Sequence, residues 1–399
     1  GLLMAVSPAG IEASTFIWNP NLIPLASAVA FAAALHAIRS RHARWWLLSG
    51  LGAMVVMQCH VLGVVVLPPL IAAWLADVRG RRRWDGRVGP VMGAGAGAIA
   101  IIAIGYVPLL AYELGHDFAE TRAILAYVGG GGSGAASGVL GRIGIVGLRS
   151  VSWPIAGLLT DRLVLSLVAV AVACTLAAAS VVVARGASRR AAVWLAGSVL
   201  WAIVALALFA PSLAVITPGL PNDHYHSFLD PLVLALVAAG LAHVAGVGVS
   251  RASSPVRPIM AAGAGVLLVA VSVLAWPPAV SPDGGWRLAD QAAGRAAAAV
   301  DNGRFLLEGI PPFKNANAMR FPLEHRGAAP FPADEGIPVP PTLPVVVVCD
   351  PLFDDVMGAA CGGPAEEAWA AERGVPALEA IDSFEAGPRR VITVYRASP

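Results

Sequence analysis

Thr15-Phe16-Ile17-Trp18-Asn19-Pro20-Asn21-Leu22-Ile23-Pro24 joins two apolar runs, and its polar residues stand where the second run begins. What flanks this stretch decides between a soluble domain and a membrane protein. A helix needs about 20 apolar residues, at about 1.5 Å each, to cross the hydrocarbon of a bilayer. Runs that meet or approach this length are 20–38, 45–59, 61–77, 89–112, 163–184, 191–211, 227–248 and 258–276, preceded by a stub at 1–8. They predict eight whole spans and one partial span, with 45–59 and 61–77 forming a tight hairpin that turns at Gln58-Cys59-His60. Composition agrees. Of 399 residues, 57% are hydrophobic and 13% charged, and the mean hydropathy is +0.72, outside the range of ordinary soluble chains. The opening Gly1-Leu2-Leu3-Met4-Ala5-Val6 reads as the tail of a membrane helix, so a further segment is expected upstream.

Charge gives the orientation. The net charge of +2 conceals +8 over residues 1–280 (17 Arg, 9 Asp or Glu) and −6 over 281–399 (10 Arg or Lys, 16 Asp or Glu). Arginine beside a span end is retained on the cytoplasmic side. Threading the eight spans alternately places Arg39, Arg41, Arg44, Arg79, Arg81, Arg82, Arg83, Arg87, Arg185, Arg189, Arg190, Arg251 and Arg257 on that side. Arg122, Arg142, Arg149 and Arg162 fall outside. Among the acids of this region, Asp77 and Asp85 are cytoplasmic, while Glu12, Glu113, Asp117, Glu120, Asp161, Asp223 and Asp230 lie at the outer face. Ionisable groups are costly near a bilayer and commonly functional, so the chemistry is expected outside.

The loop between 112 and 163 carries two amphipathic pieces, 117–128 and 139–149, expected in the interface plane. The run Gly129-Gly130-Gly131-Gly132-Ser133-Gly134 joins them as a hinge and lacks the Gly-Lys-Ser/Thr ending of a phosphate loop. From 277 onward the chain reads as a small extracytoplasmic α/β domain. It predicts a helix from Asp283 to Asp301, a buried strand from Pro344 to Cys349, a helix from Ala365 to Arg373 and a strand from Arg390 to Tyr395, with a Pro-rich loop over 328–344. Cys349 and Cys361 share this domain, where a disulfide is permitted and left open by the sequence; Cys59 and Cys174 read as small apolar fillers in spans.

Several constellations bear polar chemistry, each beside a plainer account. Asn19 as a helix cap, Pro20 at the first helical position and Trp18 as an interfacial anchor explain the opening stretch; alternatively, the amides of Asn19 and Asn21 face a polar site. His60 tips the hairpin. Glu113, His116 and Asp117 would share one helical face if the helix persists, and such a set suits several divalent ions. Asp223-His224-Tyr225-His226 precedes the span at 227, with Asp230 one turn inside. Arg122, Arg142 and Arg149 present guanidinium forks suited to phosphate, or are solvated loop charges. There is no Cys-x-x-Cys pair, no Gly-x-Ser-x-Gly elbow and no His-Glu-x-x-His helix. The arginine clusters follow topology without aromatic interleaving, so nucleic-acid binding has no support.

In order, Ser7-Pro8, Phe16-Ile17-Trp18-Asn19-Pro20-Asn21-Leu22-Ile23-Pro24, Gln58-Cys59-His60, Tyr112-Glu113-Leu114-Gly115-His116-Asp117-Phe118 and His224-Tyr225-His226-Ser227-Phe228-Leu229 resemble bacterial glycosyltransferases of the dolichyl-phosphate-mannose protein mannosyltransferase superfamily. The resemblance covers about residues 1–276. It implies a GT-C helix bundle over 1–276 with an extracytoplasmic α/β domain over 277–399, in the cell membrane. It also implies a hexosyltransferase-type enzyme that transfers a sugar from a polyprenyl-phosphate donor to a protein or glycan acceptor. An acid-derived base would deprotonate the acceptor hydroxyl in an inverting displacement, and Arg or a divalent metal ion would stabilise the departing phosphate. In that superfamily the acidic motif follows the first span, which the resemblance puts upstream of Gly1, so no residue here is assigned to it. Glu12, Asn19, Asn21, His60, Glu113, His116, Arg122, Arg142, Arg149, His224, Tyr225 and His226 are the expected substrate-binding residues. A transporter or flippase of lipid-linked sugars is the alternative, though its usual internal repeats are missing here.

Overall fold

The computed structural model describes the chain apart from residues 15–18, 85, 130–137, 158–161, 215–222, 248–255, 278–283, 302, 312–315, 333–342, 374–377, 389 and 398–399. Trp18, Asp85, Asp161, Arg251, Asp283, the glycine run at 130–134 and most of the Pro-rich stretch therefore lie outside the described residues. Contacts divide the chain into two compact units, Gly1–Pro277 and Pro278–Pro399.

The first unit is helical. Its helices are α1 (Leu2–Ala5), α2 (Pro8–Ala13), α3 (Ile23–Ser40), α4 (Trp45–Cys59), α5 (Leu67–Trp84), α6 (Gly89–Gly105), α7 (Val107–Gly115), α8 (Ala119–Gly129), α9 (Val139–Ala156), α10 (Leu163–Val182), α11 (Gly186–Phe209), α12 (Asp230–Ala245) and α13 (Val256–Leu274). Short 3-10 turns at Asn19–Leu22, Val61–Val66, Pro211–Ala214 and Asp223–Leu229 punctuate them. Among the described residues, six helical segments are long and apolar enough to cross a membrane: Asn19–Ser40, Val61–Arg83, Leu163–Val182, Gly186–Phe209, Asp223–Ala245 and Val256–Leu274. They fit a multi-pass membrane protein.

The two remaining apolar runs differ from simple spans. Residues 45–59 make a helix of only 15 residues. Residues 89–112 break at Tyr106 into α6 and α7, bent by 45°. Pro108, at the start of α7, has no N–H for the Ile104 carbonyl and its ring crowds that carbonyl, which is the ordinary cause of such a bend. α5 runs past the apolar stretch through its arginines, because Arg is a good helix former and the helix need not stop where hydropathy does.

Small residues let the helices close up. A Cβ on Gly52 of α4 would stand 2.7 Å from the Ala26 carbonyl oxygen and 2.8 Å from the Ala30 nitrogen of α3, and one on Gly240 of α12 would collide with the Leu176 carbonyl of α10. One core gathers α3, α4, α5, α6, α9, α11 and α12 around Ile23, Phe31, Trp46, Val56 and Leu206. Another joins α9, α10, α12 and α13 around Ile155, Ala173, Val237 and Leu268. The outcome for α9 differs from an interface helix: its second half, Val146 to Ala156, is largely buried in both cores, so the apolar stripe packs on protein.

The second unit holds a five-stranded mixed sheet in the order β2-β1-β3-β5-β4, with β1 (Arg304–Ile310), β2 (Ala329–Pro332), β3 (Val345–Cys349), β4 (Leu378–Gly387) and β5 (Arg390–Ala397). Its helices are α14 (Gly285–Ala299), α15 (Asn317–His325), α16 (Asp354–Met357) and α17 (Pro364–Arg373). Alternation sorts the two faces: Phe305, Leu307, Val346 and Ile392 pack with α14 and α15, while Leu306, Val345, Val347 and Tyr395 pack with α17. β2, with Pro330 and Pro332, takes an edge, where a missing N–H is tolerated. β1, β2, β4 and α15 are absent from the sequence-based expectation. In β4, Leu-Glu-Ala-Ile-Asp-Ser-Phe-Glu-Ala-Gly is poor in strand formers, and pairing with β5 decides its conformation. Cys349 and Cys361 are bonded.

Candidate functional site

The 3-10 turn Asp223–Leu229 enters α12 and is packed by α3, α9 and the turns at Asn19–Leu22 and Val61–Val66. It has two faces of different chemistry. On the inner side, Arg149 of α9 is only 2% exposed. Its Nε donates to Asp223 Oδ1 at 2.9 Å, its Nη2 to Asp223 Oδ2 at 2.7 Å and its Nη1 to the Leu213 carbonyl at 2.6 Å. This is the bidentate, charge-assisted arrangement that a guanidinium makes best. His226 Nε2 lies 3.0 Å from the same Asp223 Oδ1 and, facing a carboxylate already fixed by arginine, carries the proton there.

That cluster is not closed. His226 Nδ1, Asp230 Oδ1 and, next in sequence to Arg149, the Ser150 hydroxyl are buried and make no hydrogen bond among the described residues. Asp230, in the first turn of α12, is within electrostatic reach of Asp223. A buried polar atom left without a partner costs about 1–3 kcal/mol, and native structures keep few of them. These atoms are where a water or a polar ligand group would find hydrogen-bonding capacity unused by the protein.

On the outer side of the turn are rings. Tyr225 stacks on His60 at 4.1 Å between centroids, and His224 meets Tyr225 edge-on at 3.9 Å. All three are half-buried. His60 has an extended backbone between α4 and the following 3-10 turn, and its Nδ1 accepts from the Leu62 N–H at 3.2 Å, leaving Nε2 as the donor. Burial pushes its pKa below that of an ordinary imidazole. Asn19 is tied to the same hairpin, its Nδ2 donating to the Cys59 carbonyl at 3.1 Å. Asn19 is thus not a helix cap: α3 starts at Ile23 with Pro24 in its first turn, so Pro24 takes the early position expected of Pro20. Asn21 donates to the Ala13 carbonyl at 2.7 Å.

The other expected residues stand apart. Glu113 is buried and accepts from the Glu120 and Thr121 backbone N–H groups at 2.9 and 3.0 Å and from the Thr121 hydroxyl, which makes it a cap of α8. His116 is exposed and stacks on Tyr112. Asp117 is exposed in a left-handed conformation and pairs with exposed Arg122. α7 ends at Gly115, so the helical spacing that would have put Glu113, His116 and Asp117 on one face does not continue. No group of three or more His, Cys, Asp or Glu among the described residues could hold a metal ion. Arg142 is half-buried, with an Nε that finds no partner among the described residues. Glu12 is exposed on α2.

Sequence reasoning missed the joining of Arg149 to Asp223, 74 residues apart. The signal available was Arg149 as an exception to the arginine segregation together with an unassigned acid beside two histidines. Also unforeseen was an apolar groove of about 1040 Å³ between α1, α3, α12 and α13, lined by Leu3, Leu25, Ala28, Leu234, Ala238 and Val266 and reaching Pro231.

At the opposite end of α5, about 21 Å from Leu67 at 1.5 Å per residue, sits a second buried pair. Arg81 Nε and Nη2 donate to Asp77 at 2.9 and 3.0 Å, Trp46 Nε1 donates to Asp77 Oδ2 at 2.9 Å, and Arg81 also reaches the Arg41 and Ala37 carbonyls. Comparison with known families, with characterised proteins and with solved structures returned no match.

Proposed function

We propose that this chain is a membrane glycosyltransferase that takes a sugar from a polyprenyl-phosphate donor and passes it to an acceptor hydroxyl at the end of the bundle where Asp223–Leu229 lies, as its resemblance to the dolichyl-phosphate-mannose protein mannosyltransferase superfamily implies. The observation that carries this reading is the single turn that holds a buried Arg149–Asp223–His226 network on one side and a half-buried His60–Tyr225–His224 stack on the other. The rings offer flat faces and polar edges suited to a sugar. The groove that reaches Pro231 is of a size and lining suited to an apolar chain. Because its three nitrogen positions are engaged, Arg149 is assigned to positioning Asp223 and His226; Arg142, with an unsatisfied Nε, is the better candidate for the donor phosphate. In the reaction, the acceptor oxygen bonds to the anomeric carbon, the bond from that carbon to the phosphate oxygen breaks with its electron pair on phosphate, and the acceptor proton leaves to a base.

The test uses the full chain in membranes with labelled polyprenyl-phosphate sugar. Label appearing on an acceptor supports the enzyme. Label crossing the bilayer without transfer would favour the flippase reading instead. Replacing both His224 and His226 with Ala is expected to abolish transfer, and unchanged transfer would remove them from the site.

A further inference from the structure

Among the described residues, the surface of the second unit carries one concentrated apolar feature. Trp286 of α14 is 50% exposed and Phe321 of α15 is 63% exposed. Their ring centroids lie 5.5 Å apart, and His325, one turn beyond Phe321, completes the group at 5.9 Å from Trp286 and 6.1 Å from Phe321. Ile381 is the only other large apolar side chain of this unit recorded as exposed among the described residues. An exposed aromatic cluster, on a surface whose other described residues are mostly polar, is the mark of an interaction site.

Its surroundings point to the occupant. Although residues 281–399 carry −6, the charges flanking these rings are Arg287, Arg320 and Arg326 against Asp290 and Glu324, a local +1. Arg326 pairs with Asp290 and Arg320 with Glu324, so Arg287, next in sequence to Trp286, supplies the excess. Aromatic rings interleaved with arginine are what a bilayer interface with anionic headgroups retains. The chain enforces proximity: Trp286 follows Trp276, just past the end of α13, by ten residues, a reach of at most about 36 Å.

We infer that the Trp286–Phe321–His325 face of the second unit docks on the headgroup region of an anionic bilayer, with the two apolar rings inserted at the interface. This rests on the reading of α13 as a membrane span. Docking would use a face opposite α17, since α14 and α15 pack on one side of the sheet and α17 on the other.

The experiment is spin labelling of the full chain in vesicles containing phosphatidylglycerol, with Cys59 and Cys174 replaced by Ala and the Cys349–Cys361 disulfide retained. Single cysteines are placed by Phe321→Cys on the patch, Glu372→Cys on exposed α17 and Val266→Cys on the exposed face of α13. Collision with lipid-soluble oxygen is compared with collision with a water-soluble nickel chelate. Expected is a ratio favouring oxygen at 321 several-fold over that at 372, reduced when phosphatidylcholine replaces the anionic lipid; Trp286→Cys gives a second reading if Phe321→Cys does not fold. A water-like ratio at 321 with an oxygen-rich one at 266 would overturn docking and leave the span intact. A water-like ratio at both would remove the membrane reading itself. Protection of 321 from both reagents would show that protein covers the patch and would likewise overturn the inference.

Discussion

Among the described residues, the helical unit buries two arginine–aspartate pairs, one toward each end, and they are finished differently. Arg81 and Asp77 lie four residues apart on α5, and the carboxylate is capped by Trp46 while the guanidinium spends its remaining N–H groups on carbonyls. Arg149 and Asp223 come from different elements, and beside them His226 Nδ1, Asp230 Oδ1 and the Ser150 hydroxyl stay unsatisfied. Both pairs bear the cost of removing charges from water. Only one leaves polar capacity unspent. On the proposed function, the Arg81–Asp77 pair ties helices together, whereas the Arg149–Asp223 pair, with open groups beside it, holds them in place for a ligand.

The strongest challenge to this contrast is to replace each pair by apolar residues of similar volume. Removing one member alone, as in Arg149→Ala or Arg81→Ala, should cost about 3–5 kcal/mol at either end, because a buried charge is left uncompensated; denaturation in detergent measures it. The double replacements separate the two ends. Arg81→Met with Asp77→Leu should keep most stability and sugar transfer, and Arg149→Met with Asp223→Leu should keep much of the stability but abolish transfer. Equal loss of transfer from both would erase the distinction.

Next in size are the third members. Trp46→Phe should cost about 1–3 kcal/mol by leaving part of Asp77 unpaired, with transfer unaffected. His226→Gln should cost less, since Asp223 keeps Arg149, yet reduce transfer strongly. Smaller still is the ring stack: His60→Ala should cost about 0.5–1.5 kcal/mol through the lost contact with Tyr225, and weaken donor binding more than turnover, read as a rise in KM.

The smallest effect is in pH. Because burial lowers the pKa of His60 in the folded protein, the unfolded chain takes up its proton first. Stability is therefore held above the unfolded value of about 6.5, declines as the pH falls below it, and stops declining once the folded pKa has been passed. Unfolding midpoints between pH 8 and 5 should show this slope in the native chain and a shallower one in His60→Gln. A steeper slope in the variant would reverse the assignment.

Much of the helical unit was legible because hydropathy is a local property. The runs at 20–38 and 61–77 fall within long apolar helical segments, and those at 163–184, 191–211, 227–248 and 258–276 each overlap one for all but their last two or three residues. The bend at Tyr106 and the inward course of α9 were not, since they depend on where a proline ring meets a carbonyl and on which surface an amphipathic stripe finds. His60, His224 and Tyr225 could be nominated from their places at span ends, but not their stacking. Glu113 and His116 illustrate the opposite outcome. Their spacing suggested a shared face, and a helix end at Gly115 sent one to cap α8 and the other to the surface.

By itself the sequence determined that this is a chain of long apolar helices followed by a polar α/β unit, because twenty consecutive apolar residues and the β-branched run Val345–Cys349 carry that information within one segment. Only the tertiary structure decided that Arg149 meets Asp223 across 74 residues and that His60 lies on Tyr225. Those pairings are set by how helices pack, through close approaches such as Gly52 on Ala26 and Gly240 on Leu176, and no local pattern records which distant partner a buried charge will find.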